Sequence, residues 1–189
     1  SILDWDYKQY PKDSFDLIWA SPPCASFSHL QCSRIGRTMK NGGIFTKEQM
    51  DLDMETIGDP LVKKALEIIE YFNPMYWFME NPQTGRLKNR PYMKDLPYYD
   101  VDYCMYSDWG YRKRTRVWTN RVGFNNKLCD GKGTCGNMVG SLHKTNLGNT
   151  ERLKKAEKRL KHREDVSGLK NRTTLDDRYR IPEDLIFSL

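Results

Sequence analysis

Two short apolar runs, FDLIWA (residues 15–20) and MYWFMENP (residues 75–82), stand on either side of GDPLVKKALEIIEYFNP (residues 58–74). Runs this apolar, bounded by turn residues, read as strands buried on both faces. Ser21-Pro22-Pro23 ends the first, because proline has no N–H to give to a sheet ladder. In the intervening segment Leu61, Val62, Ala65, Leu66, Ile68, Ile69 and Phe72 recur at helical spacing and make one broad apolar face. Asp59 is placed to cap that helix, with Pro60 at its first position, and Asn73-Pro74 stops it. Strand, helix and strand in this order predict a βαβ unit of a parallel sheet, and so an α/β fold.

The rest of the chain is less regular. Residues 25–58 are polar, with Lys-Asn-Gly-Gly at 40–43, and predict a long mobile loop. Residues 98–111 alternate like a strand and then turn. The basic run 112–116 leads into a further short strand. Residues 125–150, rich in Gly and Asn, read as loop. Residues 151–165 read as a charged helix or a flexible arm, and the C-terminal segment returns to an apolar pattern.

A net charge of +6 and a pI near 9.0 suit a polyanionic partner. The five cysteines, Cys24, Cys32, Cys104, Cys129 and Cys135, are odd in number and irregular in spacing. They predict free thiols in a reducing, intracellular compartment rather than a disulfide scaffold. No apolar run approaches the ~20 residues that a membrane span needs, so a soluble protein is expected. Cys129 and Cys135 with His143 hint at zinc. However, a fourth ligand is not evident and the Cys-x5-Cys spacing is wider than usual, so the stretch reads as a glycine-rich loop and no metal is assigned.

Chemistry-bearing residues gather where the strands end. Cys24 follows the first strand, Glu80 closes the second, and Arg112, Arg114 and Arg116 lead into another. Ligands of open parallel sheets bind beyond the carboxyl ends of the strands. A thiolate can add to an electron-poor ring carbon while a carboxyl group engages a ring nitrogen and arginines hold a carbonyl oxygen and nearby phosphates. Cytosine suits this set. Attack at C6 makes C5 nucleophilic, and C5 can then accept an electrophilic methyl group.

SPPCASFS (residues 21–28) resembles the Pro-Cys nucleophile motif of the C5-cytosine DNA methyltransferases. MENP (residues 79–82) resembles their Glu-Asn motif, and WGYRKRTRVW (residues 109–118) their Gln-x-Arg-x-Arg motif. The three occur in family order and together span roughly residues 15–120. The resemblance implies Cys24 as nucleophile, Glu80 as the acid that engages the base, and Arg116 at the cytosine O2. Asn81 would brace the turn, Arg114 would contact phosphate or fix the loop, and Arg112 would stand where the family has Gln. Ser26 and Ser28 would offer hydrogen bonds to phosphate from a loop, residues 25–43, that closes over a flipped base. S-adenosylmethionine is the implied cofactor, with Pro23 shaping the turn beside the methyl donor and Asp4 near the adenine.

The implied fold is an incomplete Rossmann-like class I methyltransferase sheet. Residues 1–120 would belong to the catalytic core, 121–175 to a small irregular target-recognition region, and 176–189 to a return segment. The family's Phe-x-Gly-x-Gly element does not occur among these residues. The expectation is therefore a piece of a longer enzyme, or a split enzyme completed by a second chain, acting on double-stranded DNA and without a membrane partner. A C5 methyltransferase of RNA would use the same nucleophile. A thymidylate-synthase-like enzyme would need a folate site and a phosphate-binding arginine pattern that do not surround this cysteine. A non-catalytic DNA-binding subunit is the reading from another class.

Overall fold

The computed structural model describes residues 1–145 and 173–189. The charged stretch 151–165 lies outside the described residues, as do the parts of the expected loop and target-recognition region between 146 and 172. The structure is mixed α/β and divides into two compact units: residues 1–99 with 116–122, and residues 100–115 with 123–189.

The first unit holds the expected βαβ element. β1 (Leu17–Ala20) and β2 (Tyr76–Pro82) pair in parallel, with Leu17 opposite Tyr76 and Ala20 opposite Met79. Helix α2 (Asp59–Phe72) connects them and buries Val62, Ala65, Ile68, Ile69 and Phe72, residues three and four apart on one face. Fully burying a valine, isoleucine or phenylalanine side chain of this face stabilises by about 1.5–3 kcal/mol. The helix ends at Asn73, whose left-handed backbone (φ 46°) supplies the C-terminal turn ahead of Pro74.

The sheet continues through β3 (Tyr98–Asp102) and β4 (Arg114–Thr119) in the order β1-β2-β4-β3. Asn120, just past β4, bonds the Met75 carbonyl (3.1 Å) and the Trp77 N–H (3.0 Å) at the start of β2. β4 therefore ends where β2 begins, and the two run in opposite directions. The sheet is mixed, not wholly parallel as the βαβ pattern led one to expect.

Three further expectations are corrected. β1 is not a buried strand: it lies at the edge of the sheet, with Leu17 54% exposed and the rest partly so. Its apolar residues pack on both faces but without a strand on the outer side. Ile18 and Ala20 meet the core under α2, while Trp19 stacks on Phe78 at 5.5 Å.

Residues 25–58 are not all loop. Thr46 caps helix α1 (Lys47–Asp53) by accepting from the Gln49 N–H, and a π-helical turn (Met54–Gly58) joins α1 to α2. Pro60 explains the widened turn, because its ring conflicts with a regular ladder to the carbonyl four residues back.

Since the helix is continuous there, Asp59 has no free N-terminus to cap. Its buried carboxyl pairs instead with Arg90 and accepts from the Tyr92 hydroxyl (2.6 Å). Burial, then the bond to Asp59, raises the Tyr92 pKa.

The core of the first unit comprises Phe27, Met54, Val62, Ala65, Ile69, Met79, Leu87, Met93 and Trp118. In the second unit β3 leads into a turn at Tyr103–Met105, and a small antiparallel hairpin joins β5 (Met138–Val139) to β6 (Leu142–His143). Two short helices, Leu175–Tyr179 and Glu183–Ser188, follow among the described residues, with Leu185 fully buried. No helix among the described residues is long and apolar enough to cross a membrane.

Candidate active site

Cys24 stands four residues beyond the end of β1 on a turn fixed from both sides. Upstream, the Pro22 carbonyl accepts a hydrogen bond from Asn81 Nδ2 at 2.9 Å. Downstream, Cys24 opens a 3-10 turn, Ala25–Phe27, in which the Phe27 N–H returns to the Cys24 carbonyl at 3.1 Å. Phe27 is fully buried in the core, and its carbonyl accepts from the Arg86 N–H at 2.7 Å. Two proline rings before the cysteine remove most of the backbone freedom that remains. Cys24 itself is half-buried and free of any disulfide.

This segment also explains a close approach by glycine. A Cβ on Gly58 would lie 2.8 Å from the Phe27 ring and 3.0 Å from the Ser26 Cβ. Only a residue without a side chain lets the helical turn pass over the Cys24 loop at that distance.

Glu80 and Asn81 lie in the last part of β2, 7% and 1% exposed. Because Ala20 pairs with Met79, the chain leaving β1 runs beside Glu80, and the Asn81–Pro22 bond ties the two strand ends together. The other amide atom of Asn81, Oδ1, is buried without a hydrogen-bond partner.

Arg116 lies on β4, the neighbour of β2. Counting back from Asn120, which sits at the start of β2, Arg116 falls about 13 Å along the strand, level with the Glu80 end. Its guanidinium covers the Tyr98 ring at 3.5 Å from the centroid. Cys24, Glu80, Asn81 and Arg116 thus belong to one end of the sheet in the first unit.

Arg112 and Arg114 belong to the second unit. Both are held by Asp102, whose side chain is fully buried. Arg114 is bidentate at 3.0 and 2.6 Å, and Arg112 binds at 3.3 Å. Burial by itself raises the Asp102 pKa, but hydrogen bonds from Arg114 and the Cys129 N–H, with the two guanidinium charges, carry it below the usual carboxylate range. Nothing in the Asp-Val-Asp of β3 distinguishes Asp102 from Asp100, so the sequence carries no signal for this partner.

The remaining candidates are scattered on the first unit. Ser28 caps the next 3-10 turn by accepting from the Leu30 N–H at 3.2 Å, and Ser26 lies against Gly58. Pro23 lines a cavity of about 350 Å3 with Trp5, Ile18, Trp19, Pro22 and Leu61. Asp4 is exposed on the turn Ile2–Asp4, 3.4 Å from the Ser1 ammonium, and its neighbours Ile2 and Trp5 reach that cavity.

No family model matches the chain. It is 52% identical over 138 residues to a protein of Frog virus 3 (isolate Goorha) named "Probable DNA (cytosine-5)-methyltransferase". The match takes in 72% of this chain, which spans 61% of that relative's length. With half of the residues identical over 72% of the chain, the chain is similar to a protein named as a C5-cytosine DNA methyltransferase, which supports kinship with that family.

Proposed function

We propose that this chain carries the cytosine-handling part of a DNA cytosine-5 methyltransferase, on a sheet of Rossmann-like class I kind. The observation that carries the reading is the joining of two strand ends: Pro22, two residues before the thiol, is bonded to Asn81, next to the carboxyl group. In this reading the Cys24 thiolate forms a bond to C6 of a flipped-out cytosine. Glu80 gives a proton or hydrogen bond to N3 and holds the exocyclic amine, so the electron pair displaced by sulfur is drawn into the ring and C5 becomes nucleophilic. Arg116, already oriented by Tyr98, holds O2. Once C5 is methylated, its proton leaves to a base, and the C5–H electron pair restores the C5=C6 double bond as the Cys24 sulfur departs from C6 with the C–S pair.

S-adenosylmethionine supplies the electrophilic methyl group when bound. The cavity beside Pro23 fits its flat adenine, being apolar, walled by Trp5 and Trp19, and adjacent to the cysteine turn. Asp4 would approach the same ligand from the Ile2–Trp5 edge, and further donor contacts would come from more of the same polypeptide or from a second chain. Double-stranded DNA is the proposed substrate. Arg112, Ser26 and Ser28 would meet its phosphates, Arg114 would fix its own loop through Asp102, and residues 121–175 would read the target.

The test is transfer of a labelled methyl group to duplex DNA and, in parallel, to tRNA. A duplex containing 5-fluorocytosine should leave an adduct mapped to Cys24, since fluorine at C5 cannot depart as a proton. Cys24→Ala should end transfer while DNA binding persists. Transfer confined to tRNA, an adduct at Cys32, or full turnover by the alanine variant would each overturn the reading.

A further inference from the structure

Cys104, Cys129, Cys135 and His143 come together in the second unit although 39 positions separate the first from the last. Their Sγ and ring nitrogen atoms all lie within 4.8 Å of one another. Nε2 of His143 is 3.6 Å from Cys129 Sγ and 3.6 Å from Cys135 Sγ. A tetrahedral zinc with Zn–S of about 2.3 Å and Zn–N of about 2.0–2.1 Å requires an S···N edge of about 3.6 Å. Both distances therefore match the edge that one ion would impose.

The backbone around the four residues is already fixed by groups that are not ligands. Asn137 Nδ2 donates to the carbonyls of Cys104 (2.8 Å) and Cys135 (3.1 Å), and also to that of Ser107 (2.7 Å). The Cys129 N–H donates to Asp102 at 2.8 Å. The Gly131 N–H turns back onto Cys129 Sγ at 3.4 Å, and the left-handed backbone of Gly131 (φ 75°) makes that turn possible.

We infer that these three cysteines and His143 bind one zinc ion in a closed structural site. Three sulfurs and one imidazole nitrogen in a tetrahedral set suit zinc rather than the oxygen-seeking Mg2+ or Ca2+. Four protein ligands leave no open position for water, so the role is to hold structure rather than to catalyse. The ion would tie the turn after β3 to the loop 129–136 and to β6, a region that secondary structure alone holds with only two-residue strands. The inference does not rest on the methyl-transfer reading, and its test needs neither DNA nor a methyl donor.

The test uses the full chain, expressed with zinc and purified under reducing conditions without chelator. Elemental analysis should find about one zinc per chain. Replacement by Co2+ should give tetrahedral d–d bands and a sulfur-to-cobalt charge-transfer band. Because Cys104→Ser or Cys129→Ser can fail to fold, the deciding variant is His143→Cys, which keeps a four-ligand set. It should retain the metal and raise the charge-transfer intensity by about one third, from three thiolates to four. Folded protein that carries less than a tenth of an equivalent of zinc and takes up no Co2+ would overturn the inference. So would a Cys129–Cys135 disulfide under reducing conditions, a bound metal other than zinc, or a cobalt spectrum unchanged in His143→Cys.

Discussion

The turn that carries Cys24 is held from beneath by apolar side chains, whereas the loop that carries Cys129 and Cys135 is held by polar ones. In the first case Phe27 sinks into a core of methionine, leucine, valine and tryptophan, and one amide bond from Asn81 sets the direction. In the second, Asn137 and Asp102 make the decisive contacts, and both are buried and multiply bonded. The lesson concerns failure. An apolar support weakens in proportion to the volume removed, while a buried polar support fails as a unit when one member leaves its partners unsatisfied.

The largest effect that tests this contrast is expected for Phe27→Ala, which should cost about 3–5 kcal/mol through the cavity it leaves. Denaturant unfolding measures the loss, and hydrogen exchange should place it at residues 25–34 and the helix face that packs there. Unchanged protection at those amides would break the contrast.

Asp102→Asn comes next, at about 3 kcal/mol, because Arg112 and Arg114 lose a buried counter-charge. It also has a pH signature. The folded-state pKa of Asp102 lies below its unfolded value of about 3.9, so its contribution is fully present above that value and disappears as pH falls through the folded one. Acid unfolding of the parent protein should therefore be steeper below about pH 4 than that of Asp102→Asn. Parallel curves would remove the ion pair from the account.

Gly58→Ala should cost about 1–3 kcal/mol by forcing a methyl group into the Phe27 ring. A double variant with Phe27→Leu should recover part of the loss, and strict additivity would show that the two do not touch. The smallest effect is expected for Tyr98→Leu, which removes the ring under Arg116 and should cost about 0.5–1 kcal/mol. Its sharper readout is methyl transfer, which should fall further than stability does if the ring orients the arginine.

What the sequence made legible follows from where the constraint is local. The periodicity of residues 58–74 and the apolar runs beside it were enough for α2, β1 and β2, since spacing and burial are linked within one segment. The end of α2 was readable from Asn73-Pro74. Its start was not, because Thr46 and Gln49 begin the helical run a dozen residues earlier and the π-turn before Pro60 has no simple pattern. The edge position of β1 depends on which strands pair, which is not a property of its own four residues. Cys24, Glu80 and Arg116 were singled out because their types and surroundings form motifs, and their roles belong to the proposed function. Asp102 and Cys104 were missed because their partners lie 10 to 39 residues away in sequence and meet them only through the fold.

The pairing of two guanidinium groups with one buried carboxylate also bears on how the chain would meet a polyanion. Arg112, Arg114 and Asp102 together bring one net positive charge to the surface, not two. Each phosphate neutralised on duplex DNA releases counterions and adds about −0.9 to the slope of log K against log salt. The salt dependence of binding should therefore be shallower than a count of this arginine-rich stretch implies, and Asp102→Asn should steepen it.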